Sequence, residues 1–372
     1  MSAKFAAISR GSRRALATVG IAIGFSALPW IPPGSPLALA KQHEQPQTAP
    51  TCATCHAGVA NSFKSAPMRH AMEPDGANPL LMAHPDITAQ LGAYTYGVQT
   101  RDGHSTYTVS DGRDTLTLPI HWIFGQHTQT WVLEKDGHHY ESLVSFFPRE
   151  NTLATTPGDQ GITPHTLEQA MGRKLPIWET RVCFDCHASG VGDKLDTAKI
   201  TPGLECEHCH NGAQEHMVDA ANDNFKTLPK SLKHLDAEQI SNFCGQCHRT
   251  FDNVMRNRWH GPAFVRFQPY RIELSKCFVG NDPRISCLAC HNPHQQLNHS
   301  AAYYDSKCLA CHGEAKVASG TAAGPGSVAK ICPVAKANCT SCHMPKIELP
   351  GGHAQFTDHF IRVVKPGEAY PE

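Results

Sequence analysis

The sequence predicts an α-rich fold with little regular structure, packed around inserted groups and interrupted by an antiparallel β-meander. Three observations point there. Short helical signals surround a repeated Cys and His cluster; Asp236-Ala237-Glu238-Gln239, for example, has the capping-box pattern and leads into Cys244. Glu168 to Gly172 and Gln214 to Ala221 read as further short helices. Residues 93–147 instead alternate in character and carry Asp102-Gly103, Asp111-Gly112 and Asp136-Gly137, the dipeptides of tight hairpin turns. Finally, 29 Gly and 27 Pro leave room for few long helices.

Charge narrows the function class. The 372 residues hold 33 Lys+Arg against 33 Asp+Glu, without the basic excess of a nucleic-acid binder. At the N-terminus Lys4, Arg10, Arg13 and Arg14 precede a short apolar run, Val19 to Leu28. Ala38-Leu39-Ala40 fits a cleavage site, so residues 1–40 read as a signal peptide and Lys41 as the mature start. An uncleaved anchor is the alternative. Beyond residue 40 no run reaches the about eighteen apolar residues of a membrane helix. The expectation is an exported chain, periplasmic or extracellular, with no transmembrane span in its mature form.

Cysteine spacing names the chemistry. Fourteen of the 16 Cys fall into seven copies of Cys-x-x-Cys-His. The first four are Cys52/Cys55/His56, Cys183/Cys186/His187, Cys206/Cys209/His210 and Cys244/Cys247/His248. The last three are Cys287/Cys290/His291, Cys308/Cys311/His312 and Cys339/Cys342/His343. This is the attachment pattern of c-type haem. Two thiols one short turn apart can add to the two vinyl groups on one porphyrin edge, and the next residue supplies the proximal nitrogen. A disulfide framework gives no reason for His after every second Cys. Zinc sites do not require that adjacent His seven times in seven. The expected cofactors are seven covalently attached haems, and the fold becomes an α-rich multihaem cytochrome fold with packed haems as core. Its parts are a haem 1 segment at 41–92, a β-rich insert at 93–150 and a six-haem domain at 151–372.

Cys277 and Cys332 are left over. They are even in number, in an oxidising compartment, and are expected to form a disulfide; two free thiols are the alternative. Arg249, Arg256, Arg258, Arg266, Arg271 and Lys276 make a basic stretch that fits either propionate partners or an ordinary solvated face. Of the 24 His, 17 lie outside the proximal set, enough for bis-His ligation of every iron without forcing it. Position sets aside His208, inside its own motif, and His43, near the start; spacing does not choose among the other 15.

With these residues in view, the chain resembles a known group. CATCHAGVANSFKSAPMRHAM resembles the first-haem segment of cytochrome c-552/4 type domains. CLACHNPH, with a second CLACH 21 residues on, resembles the doubled module of multihaem cytochromes. The group includes the tetrahaem cytochromes, hydroxylamine oxidoreductase and pentahaem nitrite reductase. The resemblance implies distal iron ligands at His70, His216, His294 and His359, with weaker matches at His127, His165 and His260. The Cys-x-x-Cys-Lys catalytic haem motif of nitrite reductase is missing, as are the eighth haem and the crosslink segment of hydroxylamine oxidoreductase. The leading expectation is therefore an electron carrier between redox partner proteins, either other cytochromes or a quinol-linked membrane complex. The alternative is an oxidoreductase acting on a small nitrogen or sulfur compound at one open haem.

Overall fold

From Met72 to Leu175 the chain is mostly β-structure. The computed structural model describes residues 51–76, 78–313 and 331–371, so the predicted signal peptide lies outside the described residues. Strand β1 (Met72–Pro74) is followed by a four-stranded antiparallel meander: β2 (Asp86–Leu91), β3 (Tyr94–Arg101), β4 (His104–Ser110) and β5 (Thr115–Pro119). Next come β6 (Trp122–Phe124), β7 (Thr130–Lys135), β8 (His138–Ser142), β9 (Val144–Phe147), β10 (Thr152–Thr155) and β11 (Gly172–Leu175). A second sheet has the order β1-β6-β7-β8-β11, so both its edges come from outside the hairpin run, and β9 and β10 pair as a separate hairpin.

Local chemistry sets these turns. Asp102-Gly103 and Asp136-Gly137 have positive φ at both residues, 51° and 82° in the first and 51° and 72° in the second. Such two-residue turns match the right-handed twist of the strands they join. Asp111 opens a longer loop, where its carboxylate accepts the Arg113 and Asp114 amides at 2.9 Å. Alternation then fills one side: Tyr94, Tyr96 and Val98 on β3 and Tyr107 and Val109 on β4 point into a core with Ile123, Trp131, Leu133 and Phe146. The Tyr107 ring lies 5.8 Å from Trp131 and 6.4 Å from Tyr96.

The other half of the chain is built of short helices. The longest are Ile177–His187, Ala237–His248 and Ala301–His312, and each ends on a motif histidine. Asp236 caps the second of these through the Gln239 amide at 2.8 Å, and Gln239 returns the bond at 3.1 Å. Two small hairpins complete it: β12 (Ala188–Ser189) with β13 (Thr201–Pro202), and β14 (Lys346–Glu348) with β15 (Gln355–Thr357).

The α-rich expectation is corrected. The chain is 33% helix and 22% strand with five antiparallel sheets, a mixed α/β class. Two physical causes account for it. Four motif segments form helices of only four or five residues, Cys52–Cys55, Cys206–Cys209, Cys287–Cys290 and Cys339–His343. Strands β1 and β11, meanwhile, are drawn in from beyond the Asp-Gly hairpins by pairing with partners distant in sequence, and β2 adds a further hairpin with β3.

Candidate functional site

Every motif is a helical turn or the last turn of a helix. In the first, third and fifth, the histidine amide donates to the carbonyl of the first cysteine: His56 to Cys52 at 2.8 Å, His210 to Cys206 at 2.9 Å and His291 to Cys287 at 2.8 Å. That turn places the two thiols, three residues apart, on one side. The four shortest motif helices bury none of their residues. No motif cysteine is buried either, although unpaired cysteine is among the most buried residue types. Most of these apolar sulfurs are half-buried and stay in part accessible, which suits a planar group bonded through both.

The imidazoles add a second test. His56 faces His216 with ring centres 6.4 Å apart, His210 faces His294 at 5.9 Å, and His291 faces His359 at 6.2 Å. Two imidazoles on opposite sides of one metal, with metal–nitrogen bonds of about 2 Å, hold their ring centres about 6 Å apart. Several rings are also oriented. His187 Nδ1 lies 2.8 Å from the Ala71 carbonyl, His210 Nδ1 3.1 Å from Lys230 and His343 Nδ1 2.8 Å from Arg362. His216 Nδ1 lies 2.7 Å from the Thr227 carbonyl and His359 Nδ1 3.0 Å from Thr357. Since a carbonyl only accepts, Nδ1 carries the proton in each and Nε2 keeps its lone pair for a metal. Burial pushes the pKa of His187, His248 and His291 down, and that of His359 down to about 4, keeping them neutral.

Among the described residues, no three His, Cys, Asp or Glu side chains converge as an all-protein metal cage would require. Paired imidazoles beside paired open thiols instead fit haem, whose porphyrin supplies the other four nitrogens. The motifs also touch one another. Cys52 lies beside Cys206, Cys186 beside Cys247, Cys244 beside Cys287 and Cys308 beside Cys339. Cys209 lies within electrostatic reach of Cys244 and Cys247, and Cys290 of Cys308. The order of neighbours is therefore first, third, fourth, fifth, sixth, seventh, with the second beside the fourth.

The remaining sequence-predicted positions behave differently. His70 uses both ring nitrogens locally, Nδ1 with Glu73 at 2.9 Å and Nε2 with the Lys64 carbonyl at 2.7 Å. His127 and His165 are exposed and meet no motif imidazole. His260 sits on exposed chain just before the turn Pro262–Arg266. His312 closes its helix. No disulfide joins Cys277 and Cys332, which are both free thiols. Cys277 lies near Cys308 and Cys311, and the Cys332 sulfur accepts the Ala335 amide. Arg271 is neither a solvated cation nor open to a propionate, being fully buried against Asp358. Sequence reasoning missed the carbonyls that orient the rings, because any residue type can supply one. It also missed Phe124, whose ring meets His187 at 5.0 Å from a strand far from the motif.

Two family models match parts of the chain. The model for cytochrome c3 matches residues 280–349, which contain the fifth, sixth and seventh motifs. The model for cytochrome c554 and c-prime matches residues 159–211, which contain the second and third. No curated protein and no solved structure matches. The two matches support a multihaem c-type cytochrome acting in electron transfer, with covalently bound haem. No helix among the described residues is long and apolar enough to cross a membrane.

Proposed function

We propose that this chain is an exported heptahaem c-type cytochrome, periplasmic or extracellular, that passes electrons between redox partner proteins. The observation that carries the reading is the continuous run of neighbouring motifs, each with a cysteine near one of the next. Haem supplies one-electron chemistry at each motif. The chain's own work is to hold these groups adjacent and to orient the ligand imidazoles. His56, His187, His210, His248, His291, His312 and His343 serve as proximal ligands, with His216, His294 and His359 opposite the first, third and fifth. The partners proposed are other cytochromes or a quinol-linked membrane complex. A potentiometric titration of the purified holoprotein tests this. Reversible uptake of seven electrons, all visible in the haem spectrum, is expected; fewer electrons, or an irreversible titration, would contradict it.

One observation favours a second reading. Among the described residues, His343 forms no ring pair with a second imidazole, and its Nδ1 is held by the Arg362 carbonyl. An iron there could leave a position for a small nitrogen or sulfur compound, making the protein an oxidoreductase. Rapid binding of cyanide or nitric oxide by the holoprotein supports that reading, and inertness to both supports the carrier.

A further inference from the structure

Arg271 and Asp358 stand 87 positions apart and are both fully buried. Arg271 donates from Nε to Asp358 Oδ1 at 2.8 Å and from Nη2 to Oδ2 at 2.9 Å, a forked pair. Its third nitrogen, Nη1, donates to the Pro371 carbonyl at 2.8 Å, and the Tyr370 ring lies 4.5 Å from the guanidinium. Arg362 donates to the same carboxylate at 2.7 Å and pairs on its other side with Glu368. Two cations and two anions are thus paired in one network.

Its location is what matters. Asp358 immediately precedes His359, the ring that faces motif histidine His291. The carboxylate also accepts the Phe360 amide at 3.1 Å, so it holds the backbone on both sides of His359. Ser275, on the chain following the Arg271 helix, accepts the Ile361 amide at 2.8 Å and donates to the His359 carbonyl at 3.3 Å. At the other end, Arg362 and motif histidine His343 exchange two bonds. The Arg362 amide donates to the His343 carbonyl at 3.2 Å, and His343 Nδ1 donates to the Arg362 carbonyl at 2.8 Å. One strap, residues 358–362, therefore orients a ring at the fifth motif and a ring at the seventh, and Arg271 bolts it in place.

We propose that Arg271, Asp358 and Arg362 are positioning residues that set the ligand geometry of two irons at once, the fifth through His359 and the seventh through His343. The proposal rests on the haem reading above. A buried pair that only held the fold would have no reason to affect these two centres together. The forked geometry is specific to guanidinium, because lysine offers a point charge without the planar fork.

The test uses purified holoprotein of wild type, Arg271→Lys and Asp358→Asn. Mass of the haem peptides, electron paramagnetic resonance and a potentiometric titration are read on each. Both variants are expected to keep their haems, to lose or shift one low-spin signal and to move the potentials of two haems, leaving the others unchanged. Phe146→Ala, in the distant β core, should lower the melting temperature without moving any signal. Unchanged signals and potentials in both bolt variants overturn the proposal. If neither accumulates as holoprotein, Arg362→Gln decides, since it leaves the Arg271–Asp358 fork intact. A shift at the seventh haem then supports the proposal, and an unaltered spectrum overturns it. Wild-type peptides without haem at Cys287 or Cys339 would defeat the haem reading itself, a result distinct from these.

Discussion

The β region and the motif region of this chain are stabilised in opposite ways. Between Met72 and Leu175, Trp131, Tyr107, Tyr96 and Phe146 are buried to within 1% in one cluster, with Tyr107 against both Tyr96 and Trp131, so side chains supply the core. In the motif region, four motif helices bury nothing, and residues such as Trp178 (67% exposed) and Phe225 (62%) face outward. The difference teaches that sequence hydrophobicity measures folding strength only where the core is made of side chains. Where it is made of an attached group, the informative signal is the attachment chemistry.

The largest test of that contrast replaces all fourteen motif cysteines by serine. The β region should survive as a protease-resistant core, while residues 177–362 should be digested from end to end. Limited proteolysis followed by mass spectrometry reads this directly, and equal resistance of both regions would break the comparison. Within the β region, Trp131→Ala should cost about 3–5 kcal/mol through cavity formation, measured by chemical denaturation of the holoprotein, with no change in the visible spectrum. Gly203 sharpens the contrast from the other side. It lies between the second and third motifs at φ 76°, and a Cβ there would collide with the Arg69 carbonyl oxygen. Gly203→Ala should therefore cost about 2–3 kcal/mol and perturb the spectrum as well as the stability.

The smallest effect is a pH dependence confined to the β region. Burial and the nearby Glu141 carboxylate raise the Asp159 pKa from 3.8 to about 6, with Arg173 3.9 Å away only partly offsetting them. Its Oδ2 is buried without a hydrogen bond. The folded state thus binds this proton more tightly than the unfolded chain. The associated stability is fully present below about pH 4 and is lost as the pH rises through about 6. Asp159→Asn should stabilise the protein by about 1–2 kcal/mol at pH 7 and leave it unchanged at pH 4. Melting temperatures of the two proteins across that range provide the check, and a gain independent of pH would contradict the assignment.

Local patterns were the legible part of this sequence. Asp102-Gly103 and Asp136-Gly137 marked their turns and Asp236 with Gln239 marked a helix start, because each is settled within a few residues. His216, His294 and His359, which stand opposite motif imidazoles, came from family resemblance, since spacing alone did not separate them from other histidines. The α-rich expectation failed because it counted motif segments as helices and overlooked strands whose partners lie far away, as when β11 pairs with β8. The same distance hid Arg271–Asp358: a basic stretch shows its charge in sequence, but not the buried carboxylate 87 residues later.

The central claim is that each Cys-x-x-Cys-His turn carries one covalent haem, and intact mass of the purified holoprotein tests it most directly. The account predicts an excess over the polypeptide equal to seven haems, with peptide mapping assigning one to each cysteine pair from Cys52/Cys55 to Cys339/Cys342. An excess of fewer than seven, or a motif peptide recovered with two free thiols, would contradict it.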